Sequence, residues 1–159
     1  MHLPATAMNA NTLPSSEDCN CLAVRQAARH VTQSYDEFLA PAGLRTTQFS
    51  ILSKLRRLGP MAINALAAQM VMDRTTLGRN IRPLQRDGLV TVAPGHSDRR
   101  RKELRLTEAG VERLRAAVEG WSKAQARFEA VFGAERAREL RTLLHAVSVS
   151  DLTGANARE

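Results

Sequence analysis

The side chains best equipped for chemistry in this sequence are guanidinium groups, and they are concentrated in one stretch. Between Asp73 and Arg105 stand nine basic residues, Arg74, Arg79, Arg82, Arg86, Arg99, Arg100, Arg101, Lys102 and Arg105, against four acidic ones, Asp73, Asp87, Asp98 and Glu103. The difference is five of the seven net positive charges of the 159-residue chain. Cationic groups at this density suit a polyanion: they displace counterions from phosphates, and each guanidinium fork matches a pair of acceptors. Nucleic acid is the first partner expected.

The charges have an order as well as a density. At about 100° per residue, Leu77, Ile81 and Leu84 cluster on one side of a helix over 74–87, and Thr75, Arg79, Arg82 and Arg86 fall on the other, flanked by Thr76 and Pro83. A helix lying in a major groove needs that division. Its apolar residues dock it on the domain, and its hydroxyls and guanidinium groups meet base edges and phosphates. The run Asp98-Arg99-Arg100-Arg101-Lys102 follows at the distance expected of a wing whose arginine enters a narrow minor groove. Asp98, acceptor-only when ionised, is expected to hold a neighbouring arginine in the hairpin rather than to meet DNA. Pro83 lacks an N–H and crowds the carbonyl of Arg79, which implies either a kink after the reading residues or an early helix end that would turn Arg82 and Arg86 away. Taken singly, a charged helix face is often mere solvated surface, and a triple-arginine turn also suits RNA, a membrane surface or simple solubility. The ordered conjunction favours duplex DNA.

The elements that must position these residues are legible from periodicity. Val24, Ala28, Val31, Tyr35 and Phe38 make residues 22 to about 40 an amphipathic helix, stopped by Pro41 and Gly43. Thr46 is placed to cap a second helix carrying Phe49, Leu52, Leu55 and Leu58, ended by Gly59-Pro60. Asn64 is placed to cap a third helix through Met70, and Asp73 a fourth that ends at Asp87-Gly88. Residues 64–87 therefore read as helix, turn, helix. Leu89–Val92 and Glu103–Leu106 read as the strands of a hairpin with turn chemistry at Pro94–Asp98. Thr107 then caps a long helix whose face runs Val111, Leu114, Val118, Trp121, Ala124 or Gln125, and Phe128. Past Gly133 a last helix carries Ala137, Leu140, Leu144 and Val147. The fold class expected is mainly α with a small β-hairpin wing.

Composition narrows the remaining classes. With 43% hydrophobic and 25% charged residues the chain is ordinary for a soluble globular protein. Two cysteines provide no disulfide framework, and no apolar run reaches the length of a membrane span or follows a basic start as in a secretory signal. A cytoplasmic protein is expected. Nine scattered glycines and the isolated His2, His30, His96 and His145 supply no nucleophile with its base, no metal cluster and no phosphate-cradling loop. No enzyme, cofactor or metal is expected. The alternative to a sequence-specific regulator is a low-specificity architectural, nucleoid-type DNA binder, which would keep the basic face and lose the preference among sequences.

Over about residues 20–148 the chain resembles the MarR-type winged helix-turn-helix transcriptional regulators of bacteria. The features that carry the likeness are Gly43-Leu44-x-x-x-Gln48-Phe49, Asp73-Arg74-Thr75-Thr76, Gly88-Leu89-Val90, and Asp98-Arg99-Arg100 followed by Leu106-Thr107-x-x-Gly110. The resemblance implies an obligate homodimer on an inverted-repeat operator, and a repressor released by a small, often phenolic, ligand or by an oxidant. Residues 1–18 and 150–159, polar and without a sustained hydrophobic period, read as flexible tails; between them the resemblance implies dimerisation helices at 19–45 and 107–149 and a winged helix-turn-helix lobe at 46–106. It also puts Thr75, Thr76, Arg79 and Asn80 at base edges and Arg99 and Arg100 in the wing; the helical wheel and the basic run add Arg82, Arg86 and Arg101 as further candidate DNA contacts. Some members of this family sense peroxides through a cysteine of the N-terminal helix, and Cys19 and Cys21 stand just before the first helix here, where a helix dipole favours thiolate. They are the candidate redox pair. His30, Ser34, Phe49 and Trp121 are the candidate walls of an effector pocket, with ordinary core or interface roles as the alternative for each.

Overall fold

The computed structural model describes residues 15–152, and the chain divides after Gln33 into two units. Of the expected tails, 1–18 and 150–159, residues 1–14 and 153–159 lie outside the described residues, and Ser16–Asp18 form a 3₁₀ turn. Up to Gln33 the first unit is a short 3₁₀ turn, Ser16–Asp18, followed by the opening turns of helix α1, Asn20–Leu39. Val24 on that stretch is exposed.

The second unit starts within α1, which ends where Pro41 enters a 3₁₀ turn and Gly43 takes φ +69°. Then follow α2 (Thr46–Leu58), β1 (Met61–Ala62), α3 (Ile63–Met70), α4 (Arg74–Arg86), β2 (Val90–Pro94), β3 (Lys102–Leu106), α5 (Glu108–Phe132) and α6 (Ala134–Val149). The strands form an antiparallel sheet in the order β1-β3-β2, with Met61 and Val92 both opposite Leu104. The sequence shows only the hairpin; two residues are too few to display a period of two, so β1 is recognisable only once β3 lies beside it.

Two helix starts differ from expectation. Thr46 is the first residue of α2, not its cap: its N–H and hydroxyl both donate to Asp36 Oδ1 at 2.7 Å, so a carboxylate ten residues earlier caps the helix. Gln48 completes that start by accepting the Arg45 N–H at 2.9 Å. Asn64 lies inside α3, whose cap position is Ala62. The first difference arises because Asp36, at the end of α1, supplies what a local side chain would otherwise provide; α3 simply begins at Ile63 with no side-chain cap.

One core holds these elements together. Leu39, Ile51, Leu52, Leu66, Leu77, Leu84, Leu89, Val90 and Leu104 are all buried within a single cluster. The face that α5 buries is not the one its large apolar residues suggest. Trp121 and Val118 remain 37% and 46% exposed, whereas Ala117 and Ala124 are buried completely or nearly so. A Cβ on Gly110 would stand 2.1 Å from the Leu89 carbonyl oxygen, and one on Gly120 would stand 2.2 Å from that of Phe38. At those positions the helix approaches neighbouring backbone so closely that only small residues fit; Val118 and Trp121 turn outward, while Leu114 still packs against the core.

Gly110→Ala should therefore destabilise the protein by about 1–3 kcal/mol despite alanine's better helix propensity, because the methyl group overpacks against backbone that cannot swing aside. Urea unfolding followed by circular dichroism measures it, and an unchanged midpoint would contradict the close approach.

Candidate nucleic-acid interface

The residues of α4 sort themselves by what they touch. Leu77, Ile81 and Leu84 are no more than 2% exposed and anchor the helix in the core. Thr75, Thr76, Arg79, Arg82 and Arg86 are exposed along the opposite side, with Asn80 half-buried between them. The helix runs unbroken through Pro83 to Arg86, so it does not end early and Arg82 stays on the exposed ridge. Arg86 lies in the last turn with its Nε donating to Asp87 Oδ1 at 3.2 Å, an exposed pair of little energetic weight.

The start of α4 is tightly made. Asp73 accepts the Thr76 N–H at 2.8 Å through Oδ1 and the Thr76 hydroxyl at 2.6 Å through Oδ2. Asn80 Nδ2 donates to the Thr76 carbonyl at 2.9 Å. Thr76 and Asn80 are thus partly occupied in holding the helix and keep acceptor lone pairs for a partner. Arg74, Arg79 and Arg82 form no ion pair or side-chain hydrogen bond with any described residue.

The hairpin tip is a built turn. Gly95 N–H donates to the Arg101 carbonyl at 2.6 Å, and Arg101 N–H to the Asp98 carbonyl at 3.0 Å. Asp98 Oδ1 accepts the Arg100 N–H at 3.0 Å, and its Oδ2 lies 3.7 Å from Arg101 Nε. Arg101 is the arginine that Asp98 holds, while the Arg99 and Arg100 guanidinium groups extend unpaired among the described residues. Thr107 ties this hairpin to the helices: its hydroxyl donates to the Gly88 carbonyl at 2.7 Å and accepts the Gly110 N–H at 3.0 Å.

A second concavity lies between α2 and α5. Phe49 and Trp121 stack with ring centroids 6.1 Å apart on a cleft of about 560 Å³, which Tyr35, Ser53, Lys54 and Arg57 complete. Tyr35 donates from its hydroxyl to Gln125 Oε1, and burial raises its pKa above the ordinary phenol value. Ser34 is not among the walls, and His30 is exposed on α1. Lys54 and Arg57 escaped the sequence reading although their i, i+3 spacing beside Phe49 and Ser53 places them on one face of α2. Cys19 and Cys21 are both exposed, and Cys19 Sγ accepts the Leu22 N–H at 3.4 Å. Among the described residues no group of His, Cys, Asp and Glu is arranged to hold a metal, and no helix is long and apolar enough to cross a membrane.

The bonds from Thr76 hold the Asp73 carboxyl below the usual aspartate range, the side-chain bond most and the backbone bond next. A depressed folded pKa means that the cap's contribution is whole above the unfolded pKa and is lost as pH falls through the folded value. Asp73→Ala should lower Tm at neutral pH, and the gap from wild type should close as the pH is brought below that range; a gap independent of pH would refute the ionised cap.

Comparison with known proteins places the same elements together. The family model described as MarR family matches residues 44–102, which span α2 to the first residue of β3. The uncharacterized HTH-type transcriptional regulator YwoH of Bacillus subtilis is 33% identical over 85 residues, covering 54% of this chain, and the match spans 61% of that curated relative's length. Among solved structures, the M. tuberculosis transcriptional regulator MosR in complex with DNA is 38% identical, with a TM-score of 0.71 over 85% of this chain and 100% of that one. A probable transcriptional regulator from Pseudomonas aeruginosa is 25% identical, with a TM-score of 0.74 over 82% and 98% of the two chains. With the capped and cationic α4, the closed wing and the Thr107 junction all in place, this chain belongs to the MarR family of winged helix-turn-helix transcriptional regulators.

Proposed function

We propose that this protein acts in the cytoplasm as a homodimeric, sequence-specific double-stranded DNA-binding repressor, released by a small aromatic effector or by thiol oxidation. The observation that carries DNA binding is the uncommitted cationic face of α4 beside a preformed wing. Thr75, Thr76, Arg79 and Asn80 meet base edges, Arg82 and Arg86 the backbone, and Arg99, Arg100 and Arg101 the minor groove, with Asp98 supporting the wing. MosR, 38% identical, has been crystallised with DNA, which favours the same partner here.

The dimer is supported by apolar side chains that one copy leaves in water. Leu143 and Val149 of α6 are 65% and 70% exposed, and Leu144 and Val147 are exposed at helical spacing beside them. A second copy of the chain is the cover that keeps such a stripe from solvent. The effector reading rests on the cleft of Phe49 and Trp121, whose stacked rings suit an aromatic ligand while Lys54 and Arg57 suit its carboxylate or phenolate. Oxidation is the second release route, since Cys19 and Cys21 are both open to solvent at the start of α1.

One selection of bound sequences from randomised duplexes tests the whole proposal. An inverted repeat with half-sites about one helical turn apart should emerge, and enrichment should fade when aromatic acids or peroxide are added. Binding without enrichment would mean an architectural protein instead.

On the selected site, Arg79→Ala should cost about 1–3 kcal/mol and leave affinity for random DNA nearly unchanged. Equal losses on both would remove Arg79 from base reading. Fluorescence anisotropy with labelled duplexes gives both numbers.

A further inference from the structure

The two faces of the wing sheet differ in what covers them. Val90, Leu104 and Leu106 pack on the core, and Thr91, Ala93, Glu103 and Arg105 alternate with them onto the opposite face, Thr91 paired with Arg105 and Ala93 with Glu103. Charge on that outer face is not left in water. The Glu103 and Arg105 side chains are only 20% and 33% exposed, and the Arg105 Nε is buried outright. What covers them is the tip of their own hairpin. Gly95 is buried there, and a Cβ on it would stand 2.7 Å from the Asp98 carbonyl oxygen and 3.1 Å from Glu103 Oε1.

Polar contacts hold the tip in this position. Arg105 Nη2 donates both to the Pro94 carbonyl and to Glu103 Oε2, each at 3.4 Å. Pro94 is the last residue of β2, so the first of these contacts falls where strand becomes turn. Beside them an open hollow of about 570 Å³ is lined by Pro94, Gly95, His96, Arg99 and Arg105, so the tip is not packed down along its length. Arg105 therefore ties its own strand, and Glu103 with it, to the root of the turn that carries Arg99 and Arg100. Without the Glu103 carboxylate a half-buried guanidinium loses its counterion, which favours its swinging out to water and releasing Pro94.

We infer that Arg105 and Glu103 are positioning residues for DNA binding: their ion pair, tied to the Pro94 carbonyl, fixes the angle at which the wing tip presents Arg99 and Arg100. The inference rests on the wing contact proposed above and gives a role to two residues that meet no DNA themselves. A direct phosphate contact by Arg105 fits less well, because its buried Nε and its pairing with Glu103 turn it inward onto the sheet.

The test uses the full chain and a fluorescein-labelled duplex, with anisotropy titrations across a salt series. Glu103→Met keeps a straight side chain of similar length and removes the carboxylate. Net charge alone, or an Arg105 freed to reach phosphate, predicts tighter binding from that change. A slackened wing predicts the opposite sign: binding weaker by about three- to tenfold near physiological salt, with a slope of log K against log salt shallower by up to about 0.9, the value of one phosphate contact. Arg105→Lys keeps the charge but replaces the fork that serves both acceptors, and should weaken binding in the same way. Adding Glu103→Met to Arg100→Ala should cost little beyond Arg100→Ala alone, whereas with Arg79→Ala the two losses should multiply; general destabilisation would multiply with both. In the free protein, the Gly95 and Arg101 amides should exchange hydrogen faster in Glu103→Met while those of Leu77 and Ile81 keep their rates. Binding by Glu103→Met at or above wild-type strength, losses that multiply with Arg100→Ala, or unchanged exchange at Gly95 and Arg101 would overturn the brace and leave the DNA-binding function standing. If Arg100→Ala binds as wild type does, the wing contact beneath the inference is what fails, and if wild type ignores duplex altogether, the DNA-binding function fails first.

Discussion

The docking of α4 is the constraint on which the remaining structure depends. Burying Leu77, Ile81 and Leu84 contributes roughly 1.5–3 kcal/mol each, an upper figure because unfolded chains are already partly collapsed. Rotating the helix to bury its other face would expose those three and draw Arg79 and Arg82 out of water without partners, which costs more than the apolar burial returns. The orientation of the guanidinium ridge is thus a consequence of core formation, and no separate interaction is needed to aim it. Asp73 adds a defined starting point by capping the first turn through Thr76.

What keeps the ridge and the wing in register is a small junction of backbone contacts. Gly88, at φ +70°, follows the end of α4 and accepts the Thr107 hydroxyl through its carbonyl, and Thr107 in turn opens α5 by accepting from Gly110. The absence of a Cβ at Gly110 lets α5 press on the Leu89 carbonyl. One threonine and two glycines therefore join the end of α4, the root of β2 and the start of α5. Thr107 and Gly110 thus fix the start of α5 against the root of the wing.

α2 has a corresponding double role. Ile51, Leu52 and Leu55 face the core, and Phe49, Ser53, Lys54 and Arg57 face the cleft. Its start is held by Asp36 from the end of α1, with Arg45 Nη1 a further 3.7 Å from the same carboxylate. One helix thus forms a wall of the cleft on one side and supports α4 on the other. The small residues Ala117, Gly120 and Ala124 let α5 come close enough to form that cleft's other wall while Trp121 stays on the surface.

Most of the cationic face was legible from residue order because its determinants are local. A period of 3.6 divides α4 into core and ridge, Asp73 lies three residues before the amide it caps, and Asp98 lies within the turn it supports. The sequence by itself determined the helix-turn-helix, the hairpin, the charge they carry and the face each presents. Only the tertiary structure decided what depends on distant partners. It showed that β1 exists because β3 pairs with it, that Asp36 rather than Thr46 caps α2, and that α5 buries its small residues instead of Trp121 and Val118. It also set the wing tip over Glu103 and Arg105. Local patterns record which residues share one element's face; which faces meet, and how closely, is settled by packing between segments far apart in the chain.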